Sequence, residues 1–209
     1  MDIVRRTPLL EAVIRLIAVG LCIIAIIAIR RFEPNGADLP IHGGFDVAGH
    51  LLTALIAAIG VKSLRLPVPI WAILLGGIVL DAGHTLNWMG YTNALEGSSR
   101  NGSHSLFVVA ILASLGFLDR RRAHIWLGIA MGATSHLWRD MGTGTVALLW
   151  PITDTVYGTL FNRYLAVLAG VAVAMIGSSA LLGVYTESTP PRNGNRYDGP
   201  TSHASGWDT

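Results

Sequence analysis

The chain has 209 residues, of which 52% are hydrophobic and only 13% charged, with a mean hydropathy of +0.52. An ordinary soluble domain carries about 25% charged residues, so this composition excludes one and indicates a single polytopic membrane domain built of helices. A net charge of +2 with no basic stripe argues against a nucleic-acid partner, and the lone Cys22 excludes an intramolecular disulfide.

Residues 1–8 are short and basic, with Arg5 and Arg6. Residues 9–29 are apolar except for Glu11 and Arg15, a pair at i and i+4 that can meet on one helix face. The run is long for a signal peptide, and Arg30-Arg31 follow without a small-residue cleavage site, so it reads as a retained span. Residues 31–44 read as a loop, punctuated by Pro34-Asn35-Gly36, Pro40 and Gly43-Gly44.

Four shorter apolar runs follow, at 45–61, 70–86, 104–118 and from 125 into the segment 132–151. They are short for full spans, so their ends must meet the interface or the membrane must thin. Between them lie a basic turn with Lys62 and Arg65, a polar stretch over 87–103, and the charged turn Asp119-Arg120-Arg121-Arg122. A glycine- and threonine-rich connection leads to a last apolar run at 164–185. Residues 186–209, rich in Ser, Thr, Pro, Gly and Asn, read as a disordered polar tail. The expected architecture is an all-α bundle of about six transmembrane helices over residues 1–185.

Ionisable residues inside apolar runs are costly and mark function by default. Asp46 and His50 open the second run, Asp81 and His84 close the third, His104 begins the fourth, and His136 and Asp140 close the fifth. Lysine and arginine in the loops at Lys62 and Arg121 mark those loops as cytoplasmic, together with both termini. Ser98 and Thr153 then lie outside, and Arg30-Arg31 dissent. On that topology every one of these residues reaches the outer membrane face. His124 in the basic turn and His203 in the tail read as solvated, and His42 as a loop histidine.

Imidazole and carboxylate ligands together suit zinc, manganese or iron rather than calcium or magnesium. His50, Asp81, His84, His104, His136 and Asp140 exceed what one tetrahedral zinc needs, so one or two ions are expected, with zinc foremost and manganese second. Such a centre activates water for hydrolysis. Arg100 and Arg139 carry guanidinium forks that match phosphate or carboxylate, and Arg100 would neutralise charge growing in the transition state. Asp81 or Asp140 is a general acid or base if it is not a ligand.

Four motifs in order, GHLL at 49–52, LDAGH at 80–84, SRNGSHSL at 99–106 and GATSHLWRDM at 132–141 followed by LLWP at 148–151, resemble the YdjM-like inner-membrane, metal-dependent hydrolases. That family looks related to zinc-dependent phospholipase C and the P1-type nucleases. The resemblance covers residues 45–151 and leaves the first and last helices outside. It implies a phospholipase C-like helical core, metal ligands at His50, Asp81, His84, His104, His136 and Asp140, and Arg100 and Ser105 beside them at the substrate. Two departures stand out. The family reads DxDH where this chain has Asp81-Ala82-Gly83-His84, which leaves Asp46 as the candidate for a missing carboxylate. It also has Arg-Gly where this chain has Arg100-Asn101.

The expected function is hydrolysis of a phosphate ester in a lipid or lipid-linked substrate, at the outer face of a bacterial inner membrane. The alternatives are a membrane zinc amidase or esterase of the ceramidase kind, and a metal transporter or sensor.

Overall fold

A computed structural model describes residues 7–33, 39–82 and 103–188. Among these residues are six α-helices and no strand: α1 (Pro8–Phe32), α2 (Leu39–Ser63), α3 (Ile70–Val79), α4 (Leu106–Leu118), α5 (Ala123–Thr143) and α6 (Phe161–Ser188). Thr7 caps α1 by accepting a hydrogen bond from the Leu10 N–H, and Pro8 occupies the first turn, where its missing N–H costs nothing. Glu11 and Arg15 pair at 3.2 Å. The charged turn folds as the 3-10 segment Arg120–Arg122, capped by the Asp119 carboxylate.

α1 turns Ala12, Val19, Cys22 and Ile26 inward, and α6 turns Tyr164, Leu168, Ala172 and Ile176; with Ile56 of α2 they form one apolar core. The outward faces of the same helices expose Leu9, Ile17, Leu21, Ile24, Val171 and Leu181. So much large aliphatic surface on long helices suits lipid, not water. α1, the Ile41–Ser63 part of α2 and the Phe161–Gly183 part of α6 are each long and apolar enough to cross a bilayer.

α3 and α4 have only 10 and 13 residues, about 15 and 20 Å at 1.5 Å per residue. They reach roughly half-way along the long helices. About six transmembrane helices were expected, four of them on short runs; among the described residues there are six helices, three of them long and apolar enough to span, and one of these is α2, whose run at 45–61 had looked short, because an apolar run does not report where the helix that carries it starts or stops. The 70–86 run leaves α3 at Leu80, so Asp81 sits just past a helix end rather than on a helix face.

α3 and α5 pack backbone to backbone. A Cβ on Gly132 would overlap the Ile73 carbonyl oxygen and lie 2.8 Å from the Gly76 Cα, and one on Gly76 would overlap the Ile129 carbonyl. The Gly128-x-x-x-Gly132 spacing on α5 is the sequence signal of such an approach, which gives close van der Waals contact where lipid offers no hydrophobic drive.

Three boundaries differ from expectation. Residues 39–44 are helical, not loop, because Pro40 falls in the first turn of α2 and Gly43-Gly44 lie within a chain already committed to the helix. α6 continues to Ser188, so residues 186–188 belong to the helix and not to the tail. α4 begins at Leu106; Ser105 is extended and His104 precedes the helix instead of opening it. The rest of the proposed tail lies outside the described residues.

Candidate metal centre

α2 carries Asp46 and His50 one turn apart, and α5 carries His136 and Asp140 at the same spacing, so each pair projects from one face. The chain leaving α3 brings in Asp81, and the chain entering α4 brings in His104. The close packing of α3 on α5 at Gly76 and Gly132 draws these four segments together.

His50, Asp81, His104 and His136 are buried, with relative exposures of 0, 3, 2 and 0%. His50 Nε2 lies 3.3 Å from Asp140 Oδ1 and 3.7 Å from Asp81 Oδ2. His136 Nε2 lies 3.2 Å from Asp140 Oδ2 and 3.5 Å from Asp81 Oδ1. His104 Nε2 lies 3.4 Å from Asp81 Oδ1 and 3.6 Å from Asp140 Oδ2. Each carboxylate therefore turns one oxygen toward His50 and the other toward His104 and His136. Asp46 adds an oxygen 3.5 Å from His50 Nε2.

These separations are longer than charge-assisted hydrogen bonds, which run about 2.7–2.9 Å. Two ligand atoms each about 2.1 Å from a tetrahedral cation stand about 3.4 Å apart, which is the range found. The hydrogen bonding agrees. His136 Nδ1 lies 2.9 Å from the Gly77 carbonyl oxygen, which only accepts, so Nδ1 carries a proton, and in the neutral ring Nε2 is left with its lone pair. That Nε2 is buried beside oxygens of Asp81 and Asp140, an arrangement that fits a cation between them. Asp46, His50, Asp81, His104, His136 and Asp140 could hold one, in overlapping groups of three. A carbonyl-anchored imidazole is also the arrangement that fixes a ligand ring's tautomer and direction.

Arg139 is 5% exposed and sits at the edge of the cluster. Its Nη2 lies 3.4 Å from Asp46 Oδ1, and its guanidinium rests on the α2 backbone at Gly49, where a Cβ would collide with it. The Tyr164 hydroxyl, hydrogen-bonded to Thr53 at 2.6 Å, also faces Arg139. A cavity of about 340 Å³ opens on this group, lined among others by Arg30, Glu33, His42, Asp46, Arg139 and Asp140.

Of the residues proposed from sequence, His50, Asp81, His104, His136 and Asp140 come together, with Asp46 and Arg139 next to them. Ser105 is buried beside His104. His84 and Arg100 lie outside the described residues. His124 is exposed in the basic turn region, as expected.

The depth of the site differs from expectation. His50 follows the start of α2 by eleven residues, about 16 Å along the helix, so the cluster is recessed within the bundle rather than set at its outer end. It lies at the ends of the short helices, and those stop half-way. At the cavity mouth, Arg30 and Glu33 were not expected at the site, and His42, read as a loop histidine, lies in α2 instead. The four-residue spacing of His42, Asp46 and His50 is the signal that marks His42, once 39–44 is known to be helical.

Residues 45–193 match the family described as YdjM inner membrane protein. The chain belongs to that family. The YdjM match runs beyond the motif core at 151 and takes in the last helix, which the sequence resemblance had left out. No curated protein and no solved structure matches the chain.

Proposed function

We propose that this YdjM-family protein is a membrane-embedded, metal-dependent hydrolase. The observation that carries the reading is the His136 tautomer: its Nδ1–H is spent on Gly77, and its Nε2 lone pair faces two carboxylates. In this reading zinc is the foremost ion and manganese the second.

His50, Asp81, His104, His136 and Asp140, with Asp46 at their edge, would hold one or two such ions. The His50 and His136 rings stack with centroids 3.7 Å apart and planes 9° from parallel, which keeps both Nε2 atoms beside the two shared carboxylates.

When bound, such ions would acidify a water molecule and polarise an ester oxygen. The chain's own groups supply the rest. Arg139, held by Asp46 and Gly49, offers its fork to phosphate or carboxylate oxygens at the cavity floor. Asp46 is more open to the cavity than Asp81, with side-chain exposures of 34 and 5%, and where it is not a ligand it is the better placed carboxylate to take a proton. Three lipid-exposed spans and a cavity within the bundle support a lipid or lipid-linked substrate, with a phosphate ester preferred because of Arg139. The kinship with zinc-dependent phospholipase C and P1-type nucleases belongs to this reading, supported by the all-helical frame and its His/Asp centre. An outward-facing site and an amidase or esterase activity remain the finer choices that assay decides.

A recessed site also raises the transporter reading. Access from both sides is what that reading needs. Below the cluster, Ala54, Ala58, Val61, Val68 and Ile73 pack as an apolar core, each at most 4% exposed, with no ionisable side chain among them to pass an ion on. This supports the enzyme over the transporter. The test is purified protein in nanodiscs, loaded with zinc or manganese, against phospholipids, prenyl phosphates and acyl amides. Metal-dependent phosphate-ester cleavage lost in His136→Ala supports the reading. Release of fatty acid alone moves the protein to the amidases and esterases, and saturable ion flux without turnover moves it to the transporters.

A further inference from the structure

Arg30 and Arg31 break the charge rule for an outward helix end, and the structure supplies a use for them. They close α1, a 25-residue helix long and apolar enough to cross a bilayer, and the ends of such a span fall where head groups would be. Arg30, Arg31, Glu33 and His42 surround a hollow of about 370 Å³. Arg30, Glu33 and His42 also line the cavity that reaches Asp140 and Arg139, so the two spaces adjoin. His42, Asp46 and His50 lie at successive four-residue steps of α2, which sets the mouth about 12 Å above His50 along the helix. Glu33 holds Arg30 and His42 in place: its carboxylate lies 3.5 Å from Arg30 Nη1 and 2.7 Å from His42 Nδ1.

We propose that Arg30, Arg31 and His42 form an anion-binding subsite at the mouth of the cavity, which captures a phosphate group and selects substrates that carry one. Guanidinium forks at the head-group level are suited to phosphate oxygens. Glu33 is the internal competitor that an incoming anion must displace. These residues precede the family match at 45–193, so the subsite is a feature of this chain's first helix and the start of α2 rather than of the matched region. The capture step stands on the mouth geometry alone; its role in selecting substrate rests on the hydrolase reading.

The test is native mass spectrometry of the detergent-solubilised protein with phosphatidic acid, phosphatidylcholine and glycerol 3-phosphate, without added metal. The wild type is expected to prefer phosphatidic acid to phosphatidylcholine. The Arg30→Gln/Arg31→Gln variant should lose about tenfold in phosphatidic acid affinity, as expected for charge-assisted bonds. Glu33→Gln should bind more tightly than wild type, because it removes the competing carboxylate. Arg121→Gln/Arg122→Gln at the opposite end should change nothing. Retention of glycerol 3-phosphate with the same dependence on Arg30 and Arg31 assigns the subsite to soluble phosphate esters instead of lipid head groups. No phosphate preference from either source, or a preference that survives Arg30→Gln/Arg31→Gln or falls equally in the Arg121/Arg122 variant, overturns the proposal. Because no metal and no turnover enter the measurement, its failure is separate from failure of the hydrolase reading, which His136→Ala reports.

Discussion

Gly132→Ala tests how the helix packing builds the centre. In an exposed helix interior this change stabilises, by about 0.4–1 kcal/mol, because it restricts the unfolded chain. At Gly132 the new Cβ would overlap the Ile73 carbonyl and stand 2.7 Å from the Gly77 N, both backbone atoms that cannot rotate away. Ordinary contact begins near 3.4 Å, so α5 must move off α3 by several tenths of an ångström or more. The hydrogen bond from His136 Nδ1–H to the Gly77 oxygen spans the same interface at 2.9 Å and would stretch past useful range. Overpacking costs about 1–3 kcal/mol, and a buried acceptor left unpaired about 1–3 more. Less the helix gain, the net loss is about 3 kcal/mol, with metal affinity down about 10–100-fold from the lost ring anchor. Gly170→Ala on α6, where nothing lies within 4 Å of the new Cβ, is the control and should be neutral or slightly stabilising. The measurements are thermal unfolding in one detergent and metal content after dialysis. A Gly132→Ala protein as stable as Gly170→Ala, with wild-type metal content, would refute the argument.

His136→Ala should abolish bound metal while His124→Ala, exposed in the basic turn, should leave it intact; elemental analysis of the purified variants decides, and equal content ends the metal reading. Chelation should lower the unfolding temperature of the wild type but not of His136→Ala, since a ligand at about 1,000 times its Kd contributes about 4 kcal/mol. Arg139→Lys keeps the charge but loses the fork, so kcat/KM on a phosphate ester should fall about tenfold or more with metal content unchanged; an unchanged kcat/KM removes Arg139 from substrate binding. For orientation, single cysteines at positions 121 and 153 in a Cys22-free background should be labelled from outside at 153 only, and the reverse pattern turns the site toward the cytoplasm.

Sequence alone determined the class and most of the residues of the candidate centre. Sparse charge and long apolar runs are composition, and composition is enough to call a helical membrane protein, since lipid demands that each segment satisfy its own backbone. His50, His136 and Asp140 were legible because an ionisable group inside an apolar run has no cheap explanation, and the i, i+4 spacing already puts His136 beside Asp140. Tertiary structure alone decided the depth of the site and the way its side chains face one another. Helix ends inside apolar runs carry no hydropathy signal, so the half-length α3 and α4, and the recess they create, were invisible. The orientation of the His136 ring depends on Gly77, fifty-nine residues away in sequence, and the parallel stacking of His50 on His136 depends on how closely α2 approaches α5. Those are contacts between segments, and no local pattern in the chain encodes the distance between two helices that glycine permits to touch.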